Sequence, residues 1–186
     1  MRTLAAFLLC AAALWAGDQA GRRAPGFALP DSSMKVFDLA DYRGKVVLLE
    51  FMQTDCAHCA EFASVLNDIQ RKYGDRVAVL AVAFAGHDDS TKTGRFAAAH
   101  DALYPILFDQ GQMEYSYVRK STVTNPCVFL IDENGYIRDD FEYGPFTKNI
   151  FEGKGLFTEI DKLLSANRSM PAAGADQNKS VPPKKK

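Results

Sequence analysis

Two cysteines two residues apart, where an apolar run gives way to a helical pattern, constrain this chain more than any other feature. The run is Val46-Val47-Leu48-Leu49-Glu50-Phe51-Met52, and the pair follows in Cys56-Ala57-His58-Cys59. Apart from Glu50 the run is apolar on both alternating faces, which suits a central strand covered on both sides. A thiolate in the first turn of the following helix meets unpaired N–H groups and a partial positive charge that stabilise it. One turn on, Cys59 comes back beside Cys56, close enough to close a small disulfide ring. The competing readings are a structural disulfide or half of a zinc site. No second cysteine pair exists to complete the metal site, so the junction reads as a redox centre.

The flanks supply the rest of an α/β pattern. Ala24 to Pro30 is punctuated by prolines, and Met34 to Leu39 roughly alternates as a half-buried strand should. After Cys59, residues Phe62, Ala63, Leu66, Ile69 and Tyr73 recur at helical spacing, and Gly74 ends the helix. Val77 to Phe84 is a second wholly apolar strand. A helix over Ser90 to His100, a short strand Pro105 to Phe108 and a short helix Gln112 to Val118 follow. Val128 to Asp132, Asn134-Gly135 and Tyr136-Ile137 predict a hairpin on a favoured turn pair. The last helix falls near Leu156 to Leu164, after the segment Phe146 to Gly155. Strands alternating with helices and closing on a hairpin give an α/β sandwich.

The 186 residues, 47% of them hydrophobic, suffice for one good-sized core. Residues 1–20 read as a secretory signal: Met1-Arg2, then a nearly all-apolar run from Thr3 to Ala16 that is short for a membrane span. Cleavage fits after Ala16 or Ala20; an uncleaved anchor is the alternative. Cys10 lies in that run, but the bulky Leu9 before it does not suit lipidation. Export places the thiols in an oxidising, periplasmic or otherwise extracytoplasmic compartment, where a pair can cycle. The folded domain is expected over 21–165. It holds 16 Lys and Arg against 21 Asp and Glu, a net charge of −5 without a basic stripe, which argues against nucleic acid as a partner. Residues 166–186, rich in Pro, Ala, Gly, Asn and Ser and ending in three lysines, have the composition of a disordered tail.

Three motifs in order, Lys45 to Phe51, Cys56 to Cys59 and Asn125-Pro126-Cys127-Val128-Phe129-Leu130-Ile131-Asp132, resemble a thioredoxin-fold protein. More narrowly, with Ala24-Pro25-Gly26-Phe27, Leu39, Tyr42 and Gly44 added, the chain resembles the exported TlpA/ResA-like branch of the alkyl hydroperoxide reductase/thiol-specific antioxidant superfamily. The resemblance spans roughly Arg23 to Leu164. It implies a thioredoxin-like fold, a central mixed sheet flanked by helices with an N-terminal extension, and thiol–disulfide exchange at the cysteine pair. Cys56, nearer the helix start, is the expected nucleophile on a partner's disulfide, and Cys59 the resolving thiol. Protein thiols and disulfides are the expected substrates, with a further redox partner to regenerate the enzyme and with neither cofactor nor metal. The resemblance also implies that Glu50, the sole charge in its strand, is buried and exchanges a proton with Cys59. Pro126 is expected to be cis and to face the pair, so that the backbone of Asn125 can meet an extended substrate chain.

His58 and Asp55 are expected to oppose one another. A cationic imidazole beside the thiolate makes the disulfide more oxidising, whereas an adjacent carboxylate disfavours the thiolate. The direction of catalysis stays open at this level. Cys127 stands where the family more often has Thr; it reads as a third active thiol or as a small buried residue. Two other functions compete. A peroxiredoxin-like peroxidase needs Thr or Ser three residues before its reactive cysteine, where this chain has Gln53. A Sco-like Cu(I) chaperone would use both thiols and a distant histidine such as His87, but spaces its cysteines one residue further apart.

Overall fold

The computed structural model describes residues 19–84, 86–119 and 124–168. Residues 1–18 of the expected signal 1–20, and residues 169–186 of the expected tail 166–186, lie outside the described residues. Five strands form the main sheet: β3 Val46–Met52, β4 Val77–Ala83, β5 Ile106–Phe108, β6 Cys127–Ile131 and β7 Ile137–Glu142. Their order across the sheet is β5-β4-β3-β6-β7. β3, β4 and β5 run parallel, whereas β6 lies antiparallel to β3 and β7 antiparallel to β6. Every residue of β3 and β4 is buried, as their uninterrupted apolar sequences require of strands covered on both faces.

Alternation along the strands divides the core in two. Val46, Leu48 and Met52 of β3 face helices: α1 (Ala57–Tyr73) through Phe62, Leu66 and Ile69, and α4 (Lys154–Arg168) through Leu156 and Ile160. Phe96 of α2 (Ser90–Ala99) joins this half, as do Ile150 and Phe151 of the short α3 (Lys148–Phe151). Val47, Leu49 and Phe51 face the other way, onto Phe27, Leu39, Met113 and Tyr117. The second face is therefore covered by the N-terminal extension and a single π-type turn, Glu114–Val118, rather than by long helices. The Tyr117 hydroxyl donates to the Pro25 carbonyl at 2.6 Å and ties the two together.

Several boundaries differ from expectation. The half-buried strand around Met34 to Leu39 is only Val36–Asp38 (β2); Leu39 begins a 3-10 turn capped by the Asp38 carboxylate, which accepts from the Ala40 N–H at 2.8 Å. β2 pairs with an unexpected β1 (Ala28–Pro30) in a separate two-stranded sheet. The hairpin is present, but of its turn pair only Gly135 has a positive φ, 80°. The Asp132 carboxylate organises the turn instead, accepting from the backbone of Asn134 and Tyr136 and from Arg138 Nε at 2.7 Å. α4 continues to Arg168, past the expected domain end at 165. The segment Phe146 to Gly155 is not bare loop: it holds α3 against α1, with Phe151 edge-on to Phe62.

The N-terminal segment touches both margins of the main sheet. Near β7, the Gly21 N–H donates to Ile137 O at 2.8 Å, and Arg23 bridges to Tyr136. At the opposite margin Asp31 bridges to Leu107 of β5.

Candidate active site

β3 carries the chain upward to Met52, and a tight turn delivers Cys56 to the start of α1. The Cys56 thiol caps that helix: its sulfur accepts from the Cys59 N–H at 3.3 Å, the place ordinarily taken by a Ser or Asp oxygen. Thr54 in the turn is fastened by Asp88, whose carboxylate accepts from the Thr54 N–H at 3.2 Å and from its hydroxyl. Both thiols are free, Cys56 partly exposed and Cys59 buried at 1%. Only the first thiol is open to an incoming molecule, while the second lies one turn inside.

Opposite the pair, the Asn125–Pro126 peptide bond is cis. The Cys56 Sγ lies 3.8 Å from the Asn125 carbonyl oxygen, to which its thiol is directed. This puts backbone of the residue before β6 against the exposed sulfur.

Glu50 is 2% exposed, on the same face of β3 as Leu48 and Met52, and its Oε1 has no hydrogen-bond partner. Burial pushes its carboxyl up to about 8. The Cys59 thiol is pushed far up, first by its own burial and then by the Glu50 charge. A buried carboxyl that titrates at about 8 thus acts electrostatically on a buried thiol that resists ionisation.

Two neighbours of the site lie outside the three motifs. Tyr104, directly before β5, buries a hydroxyl without a partner and has its ionisation suppressed by burial, then by Glu50 and Cys59. Its sequence signal is slight: a Tyr ahead of Pro105 looks like ordinary core. Tyr104→Phe is expected to raise stability by about 1 kcal/mol, because it removes an unsatisfied buried hydroxyl; thermal denaturation measures it. The second is Tyr143, after β7, whose ring stacks on His58 with centroids 4.1 Å apart and planes 22° apart. No local pattern announces that contact.

Of the remaining candidates, Cys127 and His87 stand apart from the pair. Asp55 is exposed. Cys127 is buried, pairs in register with Phe51, and packs in the half of the core away from Cys59, so the sheet stands between them. It is the small buried residue at the head of a strand, not a third thiol at the site. Among the described residues no three of His, Cys, Asp and Glu converge on a point where a metal could sit, so His87 is not grouped with the two thiols.

A dithiol with one exposed and one buried sulfur, on a helix that follows the central strand, defines a thioredoxin-like thiol–disulfide oxidoreductase. The AhpC/TSA family profile matches residues 20–140, and the chain belongs to that family. It is 35% identical over 139 residues to the thioredoxin-like protein YneN of Bacillus subtilis, covering 74% of this chain and 79% of that one. The thiol-disulfide oxidoreductase ResA of Geobacillus kaustophilus is 32% identical over 71% of this chain and 74% of its own. Among solved structures, one from Chlorobium tepidum, provisionally described as the thiol:disulfide interchange protein DsbE, is 30% identical and superposes with a TM-score of 0.62. That match covers 76% of this chain and 98% of the other.

Proposed function

We propose that this chain is an extracytoplasmic oxidoreductase that exchanges disulfides with protein substrates through Cys56 and Cys59. The observation that carries the reading is the unequal exposure of two adjacent thiols, the outer one at a helix start and the inner one buried. The Cys56 thiolate attacks one sulfur of a substrate disulfide; a mixed disulfide forms and the other substrate sulfur leaves as thiolate, taking a proton from solvent. In the fraction of molecules whose Glu50 is ionised, a fraction that grows as pH rises toward 8, the Cys59 thiol then gives its proton to the Glu50 carboxylate and attacks Cys56 Sγ. The second substrate sulfur departs as a thiolate and takes a proton from solvent, and the Cys56–Cys59 disulfide remains. Two electrons have passed from enzyme to substrate, and a partner dithiol returns them. Run backwards, the same steps oxidise a substrate dithiol.

Asn125 and Pro126 suit the substrate-binding role. The Asn125 carbonyl stands beside the attacking sulfur, where an extended chain can pair with backbone. His58, in the turn between the thiols, adjusts the equilibrium between dithiol and disulfide. The apolar leader Thr3 to Ala16, behind one arginine, supports export to a compartment in which the pair can cycle. Among the described residues no helix is long and apolar enough to cross a membrane. The test is a Cys59→Ser variant expressed with its leader. Mixed disulfides with protein partners should accumulate on Cys56, resolve on non-reducing gels and vanish with dithiothreitol. Absence of any such adduct, with Cys56 still alkylatable, refutes the reading.

A further inference from the structure

The geometry points to Tyr104 as a positioning residue for the resolving step: its buried hydroxyl donates to the Glu50 carboxylate once that group ionises, and so favours the charge that accepts the Cys59 proton. The inference rests on the proposed exchange reaction and adds a group to its second step. Glu50 Oε1 and the Tyr104 hydroxyl are both buried without a hydrogen-bond partner, one an acceptor and the other a donor. Tyr104 packs in the half of the core that holds Cys59, the half onto which β3 turns Leu48, Glu50 and Met52. A row across the sheet relates the two. Glu50 of β3 pairs with Ala81 of β4, and Ala81 with Ile106 of β5, so alanine puts only a methyl group between Glu50 and β5 on that face. Tyr104 lies two residues before Ile106 and is 5% exposed. After burial itself, the charges of Glu50 and then of Cys59 are what suppress ionisation of its hydroxyl.

The backbone around Tyr104 is fastened on two sides. Asn67, buried on α1, brackets the turn ahead of it: its Nδ2 donates to the His100 carbonyl at 3.1 Å, and its Oδ1 accepts from the Leu103 N–H at 2.8 Å. Just after it, the Pro105 carbonyl accepts from the Ala81 N–H at 3.1 Å. Tyr104 is thus tied both to the helix that carries Cys59 and to the strand beside Glu50. Cys59 and Tyr104 are the titrating groups that face Glu50 among the described residues, with Cys56 beyond Cys59. Its neighbours in register, Ala81 and Val128, carry no charge, and α2, α3 and α4 reach this half through Phe96, Phe151, Leu156 and Ile160. The buried carboxylates of Asp109 and Asp132 accept instead from the turns after β5 and β6. While Glu50 is neutral the Tyr104 hydroxyl is a cost to the fold. Once Glu50 is charged, rotation of its side chain breaks no bond of Oε1, and the hydroxyl becomes a preorganised donor in a low-dielectric surround, where a bond to a charged oxygen is strong.

The experiment mixes reduced protein with excess dithiobis(nitrobenzoate) in a stopped-flow cell. Attack by Cys56 releases one thionitrobenzoate and leaves the other in a mixed disulfide; closure by Cys59 releases the second. The rate of that second release is followed against pH for the parent, Tyr104→Phe, Glu50→Gln and the double variant. In the parent it should rise with a midpoint near 8, following Glu50. Tyr104→Phe should move the midpoint up by about one pH unit and slow the step about tenfold at pH 7, the two rates meeting once Glu50 is ionised in both. In the Glu50→Gln background the same substitution should change nothing further, since Tyr104 acts through the carboxylate. Infrared titration of the protonated Glu50 carboxyl, identified by its loss in Glu50→Gln, should show the same rise with no reaction under way. A Tyr104→Phe profile that superposes on the parent's, a slowing of equal size at every pH, an added loss in the double variant or an unmoved carboxyl midpoint overturns the inference. A parent that releases a single equivalent of thionitrobenzoate overturns the exchange reading beneath it, so the two failures are distinct.

Discussion

A Cys56→Ser variant loses disulfide exchange by about a thousandfold or more, while its melting temperature stays within a few degrees of the parent. The two halves of this expectation have one structural cause. The Cys56 sulfur has two tasks: in the proposed exchange it is the partly exposed nucleophile, and it accepts the Cys59 N–H at the first turn of α1. Serine is among the best residues for the second task and nearly inert in the first, because a hydroxyl scarcely ionises near neutral pH. Helix and core survive as the chemistry disappears. Turnover of a disulfide-bearing test protein, read beside thermal denaturation, checks both. Activity equal to the parent's would remove Cys56 from the mechanism, whatever became of the fold.

Glu50→Gln should move stability and catalysis in opposite directions. The buried carboxyl is neutral in the folded chain up to about pH 8, whereas in the unfolded chain it ionises near its ordinary 4.5. Between those values the unfolded state has released a proton that the native state keeps, so stability falls as pH rises across the window. At pH 7 the loss is on the order of 3 kcal/mol. Glutamine cannot ionise, so denaturant titrations of Glu50→Gln should show that slope flattened, with the variant the more stable near neutrality and the two alike below pH 4.5. Catalysis should suffer. Cys59, its thiol pushed up by burial, loses the acceptor for its proton, and closure of the mixed disulfide slows by about a hundredfold. Stopped-flow measurement of that step should also lose its rise with pH toward 8. A rate and pH profile like the parent's would show that Cys59 deprotonates by another route. A destabilising acid retained inside a core is the expected mark of a functional group.

How far the chain could be read without coordinates follows from where its information is local. β3, β4 and α1 were legible because each carries its burial in its own spacing: seven apolar or buried positions in a row, or Phe62, Leu66, Ile69 and Tyr73 one turn apart. Glu50 was legible as buried because Leu48 and Met52 share its face. Placement beneath Cys59 needed α1 to pack on that same face, a fact about the assembled sheet. The two halves of Cys127's ambiguity were separated only by register, since pairing with Phe51 sends its side chain away from the dithiol. β2 was read from its alternation, only with bounds too wide, whereas β1 was obscure because a three-residue strand holds too few positions for alternation to show. Tyr143 was invisible for a different reason: nothing near it in sequence says that α1 will bring His58 against its ring.

The path of residues 19–31 carries a consequence for behaviour at high concentration. One stretch of chain lies along β7 by way of Gly21 and Arg23 and reaches β5 by way of Asp31, so the same tether blunts both rims of the sheet. What remains of the β7 rim is studded with Arg138, Asp139, Asp140 and Glu142, charges that repel an approaching ladder. Copies of the molecule crowded together thus lack a bare, apolar rim on which to stack, and clipping the tether at Arg23 should be the quickest way to make the preparation turn cloudy.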